Sequence, residues 1–143
     1  MNSVELENLA RIGQLKREPP TTRELAGLRT SGERRLTDAQ NTTLTFDSRF
    51  DLGYNAAHAL ALYALRRMGY RSDNRYLVFQ VLPHTLGLPA AQWRVLAKAH
   101  DTRNLAEYEG HLEQDECLLT DMLAATELLL TTIQNLPEKP GTA

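Results

Sequence analysis

A chain of 143 residues, 42% hydrophobic and 24% charged, has the length of one domain and enough apolar material for a core, which excludes intrinsic disorder. Its net charge of −2 gives no bulk electrostatic reason to expect nucleic-acid binding. The single cysteine, Cys117, excludes an internal disulfide and leaves no thiolate metal cluster.

In chain order, the opening MNSVELENLA is acidic and lacks the basic-then-apolar layout of a signal peptide, so a cytoplasmic protein is expected. A first helical segment, about 3–17, carries Val4, Leu6, Leu9 and Ile12 and stops before Pro19-Pro20, which cannot continue a helix. A second, about 22–41, carries Leu25, Leu28 and Leu36, with a possible break near Ser31-Gly32, and gives way to the joint Asn41-Thr42-Thr43. The third, about 45–68, is the clearest. Phe46, Phe50, Tyr54, Ala57, Leu60, Ala61, Ala64, Leu65 and Met68 recur at three- and four-residue steps, and Gly69 follows as a C-cap. Its abundant alanine permits close helix approach and places it at the centre of a bundle. It also holds the most apolar run, Ala56 to Leu65, which is too short to cross a membrane.

A fourth segment, about 73–87, contains Tyr76, Phe79, Val81 and Leu82, is broken or kinked by Pro83 and ends at Gly87. The fifth starts at Pro89 and runs through Trp93 and Leu96 to about Gly110; the sixth, about 112–136, carries Leu112, Leu119, Met122, Leu123, Thr126, Leu129, Leu130, Ile133 and Leu136 on one side. No strand pattern is present. The expectation is an all-α, up-and-down antiparallel bundle of four to five main helices over residues 1–136, with 137–143 a frayed tail.

Charge is spread unevenly. Seven basic residues face three acids between Arg11 and Arg35, whereas 104–137 holds seven acids and no Lys or Arg. This asymmetry suits either a dipolar surface for a partner or helices that neutralise one another in the fold.

Chemistry concentrates in the stretch from His100 to His111. On a helix, Arg103 falls inside the apolar stripe of Leu96, Ala99 and Ala106, where a charge must be paired, must snorkel or must face a cleft or partner. Glu107, His100, His111 and Asn104 occupy the adjoining arcs. Arginine offers forked donors to phosphate oxygens and histidine can exchange a proton near neutral pH, so this set could hold a phosphate. The plainer reading pairs Arg103 with Glu107 and leaves the histidines solvated or bonded to backbone. Elsewhere, His58 reads as a boundary residue and His84 as structural or exposed. Cys117 reads as a small buried hydrophobe, and Trp93, Tyr76 and Phe79 as core. The histidine spacing fits no metal motif, and no cofactor loop is present.

Two blocks carry a family resemblance. FDSRFDLGYNAAHALALYALRRMGYR, residues 46–71, resembles the central helix of the HEPN superfamily, the higher eukaryotes and prokaryotes nucleotide-binding domain. HDTRNLAEYEG, residues 100–110, is similar to the family's second motif, an arginine and a polar neighbour followed after a short spacer by a histidine. The resemblance spans roughly residues 20–133. It implies a helical bundle, commonly a homodimer whose two motifs face a cleft. Many such proteins are metal-independent ribonucleases of toxin–antitoxin or defence systems; others bind nucleotides or partners without catalysis. Arg103 matches the motif arginine and Asn104 its polar neighbour. Tyr108 stands where the histidine would fall at its shortest spacing, and His111 lies just beyond the longest.

The expectation that follows is a nucleotide- or RNA-binding or partner-binding module, with Arg103, Asn104, Tyr108 and His100 lining the site and an antitoxin or nucleotidyltransferase as a possible partner. The alternatives are an endoribonuclease using Arg103 with His111 or His100, and a helical scaffold in which Arg103 forms a salt bridge.

Overall fold

The structure is a computed structural model and describes residues 3–137. Seven helices occupy them: α1 (Val4–Arg11), α2 (Thr22–Ala39), α3 (Phe46–Arg67), α4 (Arg75–Gln80), α5 (Leu82–Thr85), α6 (Ala90–Glu109) and α7 (Glu116–Gln134). Five begin at a side-chain cap: Ser3, Thr21, Thr45, Asn74 and Asp115 each accept a hydrogen bond from a first-turn backbone N–H. Gly69 and Gly110 adopt positive φ angles of 90° and 80° immediately after α3 and α6, where a left-handed residue stops a helix.

The alanine-rich α3 is the hub. Phe50, Tyr54, Ala56, Ala57, Leu60, Ala61, Ala64 and Leu65 are all buried along it. Its neighbours run in directions that can be read from their contacts. Gly32 of α2 packs on Leu60 while Ala39 meets Arg49, so α2 is antiparallel to α3. Gly53 packs on Met122 and Leu123 while Arg67 reaches Pro137, so α7 runs parallel to α3. Asp51 meets Arg103 and Tyr54 meets His100, so α6 is antiparallel again. The result is an all-α bundle with α2, α3, α6 and α7 alternating up and down. Among the described residues no helix is long and apolar enough to cross a membrane.

The fourth segment is two short helices broken at Val81, with Pro83 in the first turn of α5, as its ring geometry favours. Four expectations are corrected. The first helix ends at Arg11, because Gly13 turns the chain at φ 84° and Lys16–Arg17 (β1) pairs antiparallel with Tyr70–Arg71 (β2). α2 continues through Ser31-Gly32, because the missing Cβ of Gly32 admits the Leu60 side chain. The sixth helix begins at Glu116, behind the Asp115 cap. Cys117 is exposed, because the inward arc of α7 starts at Leu118 and Leu119. Of the expected tail, Pro137 accepts a hydrogen bond from Arg67 Nη2 at 2.7 Å, and 138–143 lie outside the described residues.

An ion network built around the buried Arg66 ties this ribbon to the bundle. Arg66, 1% exposed, donates to both Glu24 carboxylate oxygens at 3.0 Å and to the backbone oxygens of Glu18, Pro19 and Tyr70. Arg71 completes it through Glu18 at 2.5 Å and Glu24 at 2.6 Å. With these partners the Arg66 donors are saturated, which is what a buried guanidinium requires.

Candidate functional site

Three helices bring polar side chains to one place. α3 supplies Asp51, Tyr54 and His58, one turn apart on a single face. α6 supplies His100, Arg103, Asn104 and Glu107, and α4 supplies Arg75 and Tyr76.

Tyr54 is the centre. Its ring is 1% exposed, and a buried phenol hydroxyl needs a partner; it has one in His100 Nδ1 at 2.9 Å. His100 Nε2 meets Asn104 Nδ2 at 3.1 Å. With Asn104 donating its amide to Nε2, the proton of a neutral His100 sits on Nδ1 and is donated to the Tyr54 oxygen. Tyr76 packs edge-on against His100 and against Trp93. Tyr76 is 37% exposed and Trp93 half-buried, so both border the site rather than fill the core.

Arg103 answers the question its position in an apolar stripe poses. Its guanidinium lies over the Tyr54 ring, 5.0 Å from the centroid, which is attractive for a partly desolvated cation. Two carboxylates flank it, Asp51 at 3.5 Å from Nε and Glu107 at 3.3 Å from Nη1. Both are well exposed, at 60% and 66%, and such pairs contribute about 0–1 kcal/mol each, little enough for a bound anion to displace them. The Arg103–Glu107 pair of the plainer reading is therefore present, but it is not the sole contact of Arg103. On its outer side, Arg103 lines an open groove of about 410 Å³ with Asp47, Phe50, Asp51, Glu107 and His111.

Arg75 also lies against Tyr54, 5.7 Å from the ring centroid. His58 stands nearby, its edge-on partner Phe79 fully buried. Burial, with smaller contributions from Arg75 and His100, pushes the His58 imidazole down to about 4, so it is neutral at pH 7.

The structure thus brings His100, Arg103 and Asn104 together. His111 reaches only the outer groove, beyond the turn at Gly110. Tyr108 is 92% exposed and is not among the residues that contact Arg103 or line its groove. Sequence reasoning missed Tyr54, Asp51, His58 and Arg75 as site residues. The available signal was the four-residue step from Tyr54 to His58 and the lone cation opening the apolar run RYLVFQVL. Among the described residues no group of three or more His, Cys, Asp or Glu is arranged to hold a metal ion. No family model, curated protein or solved structure matches this chain.

Proposed function

We propose that this chain is a HEPN-like module that binds the phosphate of a nucleotide or of RNA in the cleft between α3 and α6. The carrying observation is Arg103 held over Tyr54 beside the His100–Asn104 pair: a pre-positioned fork of donors, weakly neutralised and open to solvent on one side. Its role is regulation or partner binding. The HEPN resemblance adds a homodimer in a toxin–antitoxin or defence setting, with an antitoxin or nucleotidyltransferase as partner.

A specific contact favours a second reading, a metal-independent endoribonuclease. His100 shares Tyr54 with Arg103, and its Nε2, one helical turn before the arginine, can serve as the base the motif lacks at Tyr108 once a ribose hydroxyl displaces the Asn104 amide. One experiment separates the two. Purified protein is incubated with a labelled short single-stranded RNA in EDTA, and binding and cleavage are followed together. Binding without cleavage, weakened by Arg103→Ala, supports the module. Cleavage that leaves 2′,3′-cyclic phosphate ends and is lost in both Arg103→Ala and His100→Ala supports the enzyme. RNA and nucleotides that bind wild type and Arg103→Ala equally, or not at all, reject both.

A further inference from the structure

Arg66 and Arg67 are consecutive and both buried, yet the fold treats them differently. Arg66 is bonded to Glu24 and to three backbone oxygens. Arg67, 7% exposed, makes one hydrogen bond, from Nη2 to the Pro137 oxygen, and no carboxylate pairs with it among the described residues. Burial pushes its guanidinium down from the ordinary value, the direction expected of a cation without a counter-ion. The nearby acids are already shared. Glu7, Glu18 and Glu24 serve Lys16, Arg17, Arg66 and Arg71, so cations outnumber carboxylates here before Arg67 is added. A buried charge with no counter-ion is costly. Nε and Nη1 of Arg67 bond to nothing among the described residues, and neither is shut off from solvent. In this they differ from Nη1 of Arg75, which is closed to solvent and has no hydrogen-bond partner. Arg67 lines an open groove of about 390 Å³ together with Arg17, Pro19, Pro20, Met68 and Tyr70. Glu7 and Glu18 border the same groove, but Glu7 is bonded to Arg17 and Glu18 to Arg71.

We propose that this groove binds a carboxylate joined to a small apolar body, the chemistry shared by the C-terminal residue of a peptide and a short free organic acid. One guanidinium lacks a counter-ion, so one negative charge completes the site. A phosphate dianion would bring a second charge beside Glu7 and Glu18, where like charges repel. With a single donor committed to Pro137, Arg67 keeps a forked pair of N–H groups for the two oxygens of a carboxylate. Pro19, Pro20 and Met68 offer apolar surface to the hydrocarbon part of the ligand. The groove is also of the right size, since small-ligand clefts run from roughly 300 to 1,000 Å³. It stands at the C-terminal end of α3 and shares no lining residue with the Arg103 groove. The two sites are therefore independent.

The test is a titration of the full ¹⁵N-labelled chain with N-acetyl-leucine, its neutral amide N-acetyl-leucinamide, isocaproate and inorganic phosphate, read by amide NMR. Wild type should bind N-acetyl-leucine or isocaproate about tenfold to a hundredfold more tightly than the amide, the span of one charge-assisted contact. The shifts should cluster at 17–20 and 67–70. Tighter binding of N-acetyl-leucine than of isocaproate supports a peptide end as the ligand, and the reverse order supports a free acid. Arg67→Gln should erase the preference for acid over amide. Arg67→Lys, which keeps the charge, should retain part of it, and Arg103→Ala should leave it unchanged. Acid and amide binding equally to wild type, or not at all, overturn the site irrespective of how any variant folds. So do phosphate binding more tightly than both acids, shifts clustered instead at 51–58 and 100–107, and a preference that survives Arg67→Gln.

Discussion

The guanidinium of Arg103 rests 5.0 Å from the ring centroid of Tyr54, a residue that lies on a different helix and is itself fully buried. Through its ring Tyr54 holds the arginine, and through its hydroxyl it holds His100 at 2.9 Å. One side chain of α3 thereby fixes two of α6 in the orientation a phosphate would meet, and pre-organisation of this kind lowers the entropic cost of binding.

Tyr54→Phe separates these two functions. The ring under Arg103 survives and the hydroxyl contact with His100 is lost, so stability should fall by about 1 kcal/mol. Urea denaturation of wild type and variant measures it. RNA or nucleotide affinity should fall less than in Arg103→Ala.

Two glycines of α2 should respond oppositely to the same substitution. A Cβ on Gly32 would stand 2.5 Å from Leu60 Cδ2 and 2.6 Å from its Cγ, whereas Gly27 faces open space. Gly32→Ala should cost about 1–3 kcal/mol through overpacking. Gly27→Ala should gain about 0.5–1 kcal/mol from helix propensity. Thermal melting of both variants decides it, and destabilisation of equal size in both would contradict the close packing of α2 on α3.

Acid should weaken the ion network that ties the ribbon to the bundle. Hydrogen bonds from Arg66, then Arg71, hold the Glu24 carboxyl at about 2, below its ordinary value near 4.5. A carboxyl depressed in the folded state binds fewer protons there than in the unfolded chain. Its stabilisation is therefore complete above about pH 4.5 and is lost as pH falls toward 2. Stability measured across this range should decline, and Glu24→Gln should be less stable at pH 7 with a shallower decline. Arg66→Met should also lower stability at neutral pH, because the backbone oxygens of Glu18, Pro19 and Tyr70 lose their donor while Glu24 keeps only Arg71.

His58 adds a second acid-sensitive element with its own window. Its folded value of about 4 lies below the ordinary 6.5, so the unfolded chain takes up a proton first and stability drops as pH falls from about 6.5 to 4. Imidazole proton NMR should find the His58 midpoint near 4. A midpoint at 6 or above would contradict its burial beside Arg75.

What the sequence made legible was local. The apolar face of α3 recurs over many turns, the caps at Thr45 and Gly69 mark its ends, and Pro83 announces the break at Val81. The ribbon was not legible, because two residues cannot display an alternation and Lys16–Arg17 become a strand through distant partners at Tyr70–Arg71. Gly32 resembled a helix breaker until Leu60 filled its missing side chain. For the site, Arg103 stood out because a charge in an apolar stripe violates the helix pattern. Arg75 violated nothing in its own segment, and its isolation arises only where α3, α4 and α6 meet.

The most direct measurement is amide and imidazole NMR mapping of the ¹⁵N-labelled chain titrated with adenosine 5′-monophosphate. A phosphate site around Tyr54 requires saturable shifts clustered at 51–58, 75–79 and 100–107, absent in Arg103→Ala. Shifts confined to the basic surface of α2 around Arg34 and Arg35, or shifts unchanged by Arg103→Ala, would contradict it.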